Sequence, residues 1–304
     1  MELRHLQALV AVTDAGTFSA AADRLGTVQS NISAHVARLE SELGTTLLDR
    51  ATGRLTDEGT VVVARARRML AELEALVADV AAYKDQVTGT VRVGMIGTTA
   101  RWLAPELLRL IASRHPGVHL VVVEGTTTGL EPRLEAGQLD VAVLNLPVPG
   151  PDVVTTPLFE EDLVLVLPVD HPLAGYPGAL PMTELDGLEL LLPAHGTAYR
   201  DELDAAIAPA GVTLTPRAEI DGLRLIASLT FEGYGPAILP ATALPRFLRD
   251  QFRGIPIAGL PRRRVGTALR ARGLPSAPTR VLLELLAGVV ARRSDLPGGL
   301  HAVP

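Results

Sequence analysis

Between Gln29 and Arg38 the chain sets Gln29, Ser30, Asn31, Ser33, His35 and Arg38 in one short stretch, QSNISAHVAR. Side-chain amides and hydroxyls of this kind exchange hydrogen bonds with base edges, and a guanidinium pairs with phosphate. Ile32, Val36 and Leu39 recur among them at helical spacing, so one face of a helix over about 29–43 goes to a core. The opposite face carries Ser30, Ala34, Ala37 and Arg38, residues that let a helix backbone approach a groove closely. Upstream, Ser19 suits the cap of a shorter helix running to Leu25, and Gly26 breaks that helix. Two helices joined by such a turn form a helix-turn-helix, whose second helix enters the major groove of DNA.

Catalytic chemistry finds less support. His195 beside Thr197 or Tyr199 has the makings of a base and a nucleophile, yet no third orienting group is evident and no Gly-x-Ser-x-Gly elbow occurs. Seven histidines show no metal spacing, because His115 and His119 are separated by Pro116-Gly117, which breaks a helix. Gly94-Met95-Ile96-Gly97 is not a dinucleotide or phosphate-loop fingerprint. With no cysteine, disulfides, thiolate metal sites and cysteine nucleophiles are excluded. The expectation is no catalytic residue, no metal and no cofactor. Pro261-Arg262-Arg263-Arg264 reads as a solvated basic loop.

The elements that would carry these residues divide the chain. A first helix over about Glu2–Ala15 supplies Leu3, Leu6, Leu9, Val10 and Val12 to a small core. After the helix-turn-helix, Leu47–Leu55 reads as a short β wing with Ala51-Thr52-Gly53 at its tip; Arg50 and Arg54, otherwise ordinary solvated loop charges, would there flank the minor groove or the DNA backbone. Thr56 caps the next helix, with Asp57 and Glu58 in its first turn. Along it Val62, Ala66, Met69, Leu73, Leu76, Val80, Tyr83 and Val87 keep alternating steps of four and three, a seam for pairing with a second copy. Thr88-Gly89 ends that helix.

Beyond the linker the pattern becomes alternating strands and helices. Strands are expected at 90–96, 118–124, 140–146, 163–168, 188–193, 217–220, 236–239, 254–258 and 265–271. Helices are expected at 100–114, 129–137, 198–208, 222–232, 241–250 and 278–293, giving an α/β fold with largely parallel sheets.

A net charge of −6 cuts against a simple DNA-binding reading, and residues 1–60 hold five arginines against eight acids, a net of −3. Affinity then depends on where the cations cluster and on oligomerisation. No apolar run reaches the ~18 residues of a membrane helix. No export signal is evident either, so a cytoplasmic address is expected.

Phe18, Ala21-Ala22, Leu25, Gln29, Ile32-Ser33 and Arg38-Leu39-Glu40, followed by Leu43-Gly44, Leu47-Leu48, Arg50 and Leu55-Thr56, resemble the amino-terminal signature of LysR-type transcriptional regulators. Ser30 stands where many members have proline, Ala34 where many have arginine and Leu48 where phenylalanine is usual. The order of the later elements resembles the effector-binding region of the same family, shared in outline with periplasmic solute-binding proteins. The resemblance implies an α+β multidomain chain: a winged helix-turn-helix at 1–58, a coiled-coil linker helix at 59–89 and a two-lobed effector domain at 90–304. Lobe I would be 91–162 with 268–294, lobe II 163–267, and the crossovers near Asp162 and Thr267 would form the hinge.

In that arrangement three hydroxyl-rich segments fall at strand ends: Thr98-Thr99, Thr126-Thr127-Thr128 and His195-Gly196-Thr197. Each alone is an ordinary helix cap; together they suggest a cleft for a small polar molecule, an anion foremost. Arg200 is the expected counter-charge, the alternative being a surface arginine paired with Asp201 or Asp204; Asn145 lines the floor, and Ile220–Gly222, with Asp221 between them, stands opposite. The function expected is that of an effector-responsive, sequence-specific regulator. It would bind double-stranded DNA as a homodimer paired through residues 59–87, with a tetramer implied by the family and no membrane partner. The DNA-contacting set is Ser19, Gln29, Ser30, Asn31, Ser33, His35, Arg38, Arg50 and Arg54. The rivals are a solute-binding protein with an added dimerisation module and no DNA target, which should carry an export signal, and an α/β enzyme.

Overall fold

The computed structural model describes residues 1–49, 52–83, 87–292 and 298–303. Three helices, α1 (Leu3–Ala15), α2 (Phe18–Arg24) and α3 (Gln29–Leu43), enclose a core of Leu6, Leu9, Val12, Ala21, Ala22, Ile32, Val36 and Leu39. The cap of α2 is Thr17, whose hydroxyl accepts from the Ala20 amide at 3.1 Å; Ser19, expected there, lies exposed inside the first turn. The wing is one antiparallel bridge, Leu48 to Leu55, closed by Asp49–Arg54 and Gly53–Asp49 backbone bonds. Glu40 holds its base by accepting from the Leu47 and Leu48 amides at 2.7 and 3.2 Å.

Helix α4 (Asp57–Ala82) starts under the Thr56 cap, as expected. A Cβ on Gly59 would stand 2.0 Å from the Leu47 carbonyl oxygen, so only glycine lets this helix close on the wing. Val62 and Ala66 pack into the core below, whereas Met69, Leu73, Leu76, Val80 and Tyr83 form an exposed stripe. Val87, expected on the same seam, instead packs on the next core, and residues 84–86 lie outside the described residues. Towards its end α4 lies along that core too: Glu74 pairs with Arg92 at 3.1 Å.

The first lobe builds β1 (Gly89–Ile96), α5 (Gly97–Arg114), β2 (Val118–Gly125), α6 (Thr127–Glu135), β3 (Val141–Asn145) and β4 (Val153–Glu161). Asp162 is the crossover residue, and the second lobe follows with β5 (Leu163–Pro168), β6 (Glu189–Pro193), α7 (Ala198–Ile207), β7 (Thr215–Ile220), α8 (Leu223–Phe231), β8 (Ala237–Pro240) and β9 (Phe252–Pro256). The chain returns through β10 (Arg263–Arg270), α9 (Ala277–Ala291) and β11 (Leu300–Ala302). Asp79 of α4 accepts from the Ala277 amide at 2.7 Å, capping α9 from outside, where the Ser276 side chain makes no cap bond.

Strand order in the first lobe is β11-β4-β10-β3-β1-β2. Among the described strands, β2-β1-β3 are the parallel neighbours there and β6-β7 the parallel pair of the second lobe, where β8-β5-β9 is antiparallel. The expectation of largely parallel sheets therefore fails where the chain reverses between lobes, through β4 and β10. Because β10 already pairs within lobe I from Arg263 onward, the return crossover precedes Arg263 and not Thr267. Strands β4 and β11 were not expected. Conversely, the helix expected at 241–250 is two short 3-10 turns, Ala241–Ala243 and Arg246–Leu248, separated around Pro245, which has no amide to continue a helix.

Lobe I closes around Val91, Val93, Met95, Leu103, Leu107, Val143, Phe159, Leu282 and Leu286. In lobe II the period-two alternation of β5 feeds two cores. Leu163, Leu165 and Leu167 meet Leu190, Leu203 and Ile207, while Val164 and Val166 meet Ile226, Ala227 and Leu239.

Candidate nucleic-acid interface and effector cleft

In the amino-terminal unit the first turns of α3 carry Gln29, Ser30, Asn31 and Ser33, all exposed. Gln29, Ser33 and Ser19 line one depression together with Gly16, Thr17, Phe18, Ala37 and the wing residues Leu48 and Gly53. The Asn31 amide donates to the Thr27 hydroxyl at 3.0 Å, which fixes its orientation. His35 turns away from this surface: it is half-buried, and its ring lies 5.5 Å from that of His5 on α1. Arg38 is exposed and pairs with Glu42 at 3.1 Å, one helical turn on. Arg54 stands on the wing, exposed, with no side-chain partner among the described residues. Arg50 lies outside the described residues. The first turn of α3 holds no acid, and the two acids of this helix, Glu40 and Glu42, stand in its second half.

The strand register gathers the lobe I hydroxyls at one end of the sheet. Ile96 pairs with Gly125, and Met95 with Val143, so Thr98 and Thr126-Thr127 follow the ends of β1 and β2 at the same end of the sheet where Asn145 closes β3. Thr126 caps α6, accepting from Gly129 at 3.2 Å, and Thr127 accepts from the Asn145 amide at 3.2 Å. Thr98 is buried and accepts from Arg263 at 2.9 Å. Thr99 is fully buried, and neither its hydroxyl nor the Asn145 side-chain oxygen Oδ1 has a hydrogen-bond partner among the described residues. Ile96, the residue before α5, offers no side chain to cap the first turn.

The lobe II residues form a separate network. Thr197 caps α7 and donates to Ala194 at 2.8 Å. Arg200, expected to be a free counter-charge, is 4% exposed and engaged on every side: with Asp204 at 2.8 Å, the Pro193 carbonyl at 3.0 Å, Glu219 at 3.3 Å and His195 at 3.3 Å. His195 itself is exposed and meets Glu219 at 3.1 Å. Asp221 is exposed in the turn before α8. The guanidinium of Arg200 therefore organises the lobe II wall.

The contacts between lobes come from residues that sequence reasoning passed over. Glu161, fully buried at the end of β4, accepts from Arg263 Nε at 2.8 Å and from the Thr242 amide of lobe II at 3.0 Å. Arg263, read from the sequence as part of a solvated run, has a side chain only 7% exposed and reaches on to Thr98. Glu124 of β2 pairs with Arg224 of α8 between the lobes. Arg101, in the second turn of α5, stacks on the Phe231 ring of lobe II at 5.4 Å. Burial, with the neighbouring Arg224 charge, pulls Arg101 below its ordinary value, and it has no carboxylate partner among the described residues. Burial also pushes the Tyr199 phenol up; its hydroxyl donates to the Ile238 carbonyl at 3.3 Å. The missing signal for Arg263 was its partner, which is 102 residues away in sequence.

Comparison with known proteins agrees with both halves. Residues 3–60 match the family model of the bacterial regulatory helix-turn-helix protein, lysR family, and residues 84–291 match the LysR substrate binding domain. The chain is 37% identical over 307 residues to a probable hydrogen peroxide-inducible genes activator of Streptomyces viridosporus, covering 97% of this chain and 95% of that one. It is 30% identical to the DNA-binding transcriptional dual regulator OxyR of Escherichia coli K12, over 97% and 96% of the two chains. Among solved structures, a full-length OxyR of Pseudomonas aeruginosa carrying a cysteine-to-aspartate substitution superposes with a TM-score of 0.75 at 30% identity, covering 96% and 95%. Full-length CbnR in complex with its target DNA gives a TM-score of 0.65 at 26% identity, covering 97% and 100%. These relatives are regulators and not enzymes, and among the described residues no helix is long and apolar enough to cross a membrane. The chain belongs to the LysR family of DNA-binding transcriptional regulators.

Proposed function

We propose that this regulator responds to a small anion held between its lobes, and that the ligand takes Arg101 as its counter-charge. The observation that carries this reading is a half-buried arginine without a carboxylate partner among the described residues, two positions from a buried, unpartnered Thr99 hydroxyl. The uncapped first turn of α5 adds amide donors beside them, and the unpartnered Asn145 oxygen offers an acceptor for a ligand hydroxyl or acid proton. Thr98, Thr126 and Thr127 line the lobe I side, with His195, Thr197, Arg200 and Asp221 on lobe II. Closure around the anion would favour one arrangement of lobes, and only such differential binding can change the DNA-bound form.

The relatives named as hydrogen peroxide-inducible activators invite a peroxide reading, and a cysteine is the substituted residue in a solved one. Peroxide sensing by a thiol begins with oxidation of a thiolate to a sulfenic acid. This chain has no cysteine, so that reaction has no atom on which to start. A bound ligand is the reading that remains.

Gln29, Ser30, Asn31 and Ser33, with Ser19, Arg38, Arg50 and Arg54, would meet DNA; His35 would act on α1 and not on the groove. The exposed α4 stripe would pair two copies, spacing two recognition helices for paired half-sites, with a tetramer as the larger form. A cytoplasmic address follows from a DNA target. The units divide as 1–58, 59–89 and 90–304.

The test uses the single tryptophan, Trp102, half-buried on α5 and edge-on to Phe159 at 5.3 Å. Titration with carboxylate- and phosphate-bearing metabolites should give a saturable change in its fluorescence, lost in Arg101→Gln while operator binding persists. A ligand that binds Arg101→Gln as tightly as wild type, or peroxide altering operator binding by the cysteine-free chain, would overturn the reading.

A further inference from the structure

The residue that starts the recognition helix is an apolar one where a hydrogen-bonding one is the norm. Val28 is the N-cap of α3, with extended backbone (φ −103°, ψ 150°) and no side chain able to take an amide of the first turn. Serine, threonine, asparagine and aspartate lead at this position because their oxygen accepts from those amides, and valine supplies none. Val28 is also 58% exposed, next to Leu25 at 44%. The isopropyl group therefore neither caps the helix nor fills the core. Its surroundings are those of the groove-facing end: Gln29, Ser30 and Asn31 are exposed beside it, and Asn31 is held to Thr27.

In the major groove thymine alone presents a methyl group, at C5, and apolar side chains read it by contact. We propose that Val28 is a specificity-determining residue that packs on a thymine C5-methyl in each half-site. This rests on the placement of α3 in the major groove. Burial of the valine in the complex recovers the exposed apolar surface that the free protein carries, and the absent cap leaves the first amides of α3 free for backbone phosphate. The hydrogen-bonding residues Gln29 and Asn31 would read neighbouring base edges, so the methyl contact adds a position that they do not cover.

The experiment exchanges thymine for deoxyuridine, which removes the methyl group and leaves base pairing intact. Operator DNA from the chain's own upstream region is substituted position by position and titrated by fluorescence anisotropy against wild type, Val28→Ala and Val28→Ser. One position per half-site should weaken wild type about fourfold, the worth of one buried methyl group. Val28→Ala should bind thymine and deoxyuridine operators equally at that position. Val28→Ser, which restores the cap, should raise the Tm of the protein while losing the same discrimination. A purely structural Val28 would not move the deoxyuridine response. Val28→Ala that keeps the full response to deoxyuridine, or wild type that ignores every exchange while still preferring operator over scrambled DNA, overturns the role of Val28 alone. Wild type that does not prefer operator at all overturns the placement of α3, and the proposal with it.

Discussion

Glu161 and Arg263 offer the sharpest energetic test of how the lobes are joined. Both lie on the strands that carry the chain between lobes, and both are nearly sealed from water, at 0% and 7% side-chain exposure. Glu161→Gln leaves the arginine without its counter-ion, though a glutamine oxygen can still accept from Thr242. Arg263→Met leaves the carboxylate with that one amide donor and takes from Thr98 the donor at 2.9 Å. Breaking a buried pair by removing one member costs about 3–5 kcal/mol, because the other charge stays buried and uncompensated. Replacing both with apolar residues of similar volume is about neutral, since the desolvation of two charges disappears together. The double variant Glu161→Met/Arg263→Met should therefore be more stable than either single variant, with a coupling energy of about 3 kcal/mol or more.

Urea unfolding followed by Trp102 fluorescence reads this cycle in the right place. Trp102 sits on α5 within lobe I, against Phe159, two residues from Glu161 on the same strand. A chain of several units need not unfold in one step, so the effector-domain transition is the one to fit. Single variants that cost less than about 1 kcal/mol, or singles that sum to the double within about 0.5 kcal/mol, would refute the claim that this pair acts as one buried unit.

Asp140 gives a pH test. Burial raises its pKa above the ordinary value, against the amide bond from Arg92 at 2.7 Å. A carboxyl whose folded value is raised stabilises the fold fully only below its unfolded value, and that contribution is lost as pH rises through the folded value. Asp140→Asn should therefore match wild type near pH 3.5 and become the more stable protein as pH rises from about 4, read by Tm across a pH series. Leu76→Asp with Val80→Asp places charge on the exposed α4 stripe and should convert a dimer to monomer in light scattering while the far-ultraviolet circular dichroism stays unchanged. An undiminished dimer would move the interface elsewhere. Thr17→Ala removes the α2 cap and should cost the DNA-binding unit about 1 kcal/mol, lowering its Tm without altering ligand titration at Trp102.

The helix-turn-helix was legible because its determinants are local. Ile32, Val36 and Leu39 meet the core at steps of three and four, and Gly26, at φ +64°, permits the turn, so a window of twenty residues carries the whole motif. The α4 seam was legible in part for the same reason. Spacing shows which residues share a face, but not that Ala66 would be covered by this chain's own core while Leu76 stays open. Strand β4, VVTTPLFEE, escaped because threonines and Pro157 interrupt its apolar pattern; one side of it is polar and its ladder comes from β10, over a hundred residues on.

The candidate effector residues divide along the same line. Helix caps such as Thr126 and Thr197 bond three residues onward and can be placed from sequence. Charges cannot, because a buried arginine is defined by its partner and not by its neighbours. Arg200 could be read as a counter-charge or as a surface arginine paired with Asp201 or Asp204; the Asp204 pair forms, but Glu219, nineteen residues on, and the Pro193 carbonyl, which bury it, were out of reach. Arg263 looked solvated because it stands between two other arginines, yet those remain half exposed while it alone turns in toward Glu161. The same logic singles out Arg101. It lies where the two lobes meet, half desolvated, stacked on a ring and paired with no acid among the described residues. Partial burial without compensation carries a cost, and under the proposed function an incoming anion is what would offset it. Arg101→Gln should therefore stabilise the ligand-free protein while abolishing its response to ligand, a combination that loss of ordinary packing would not produce.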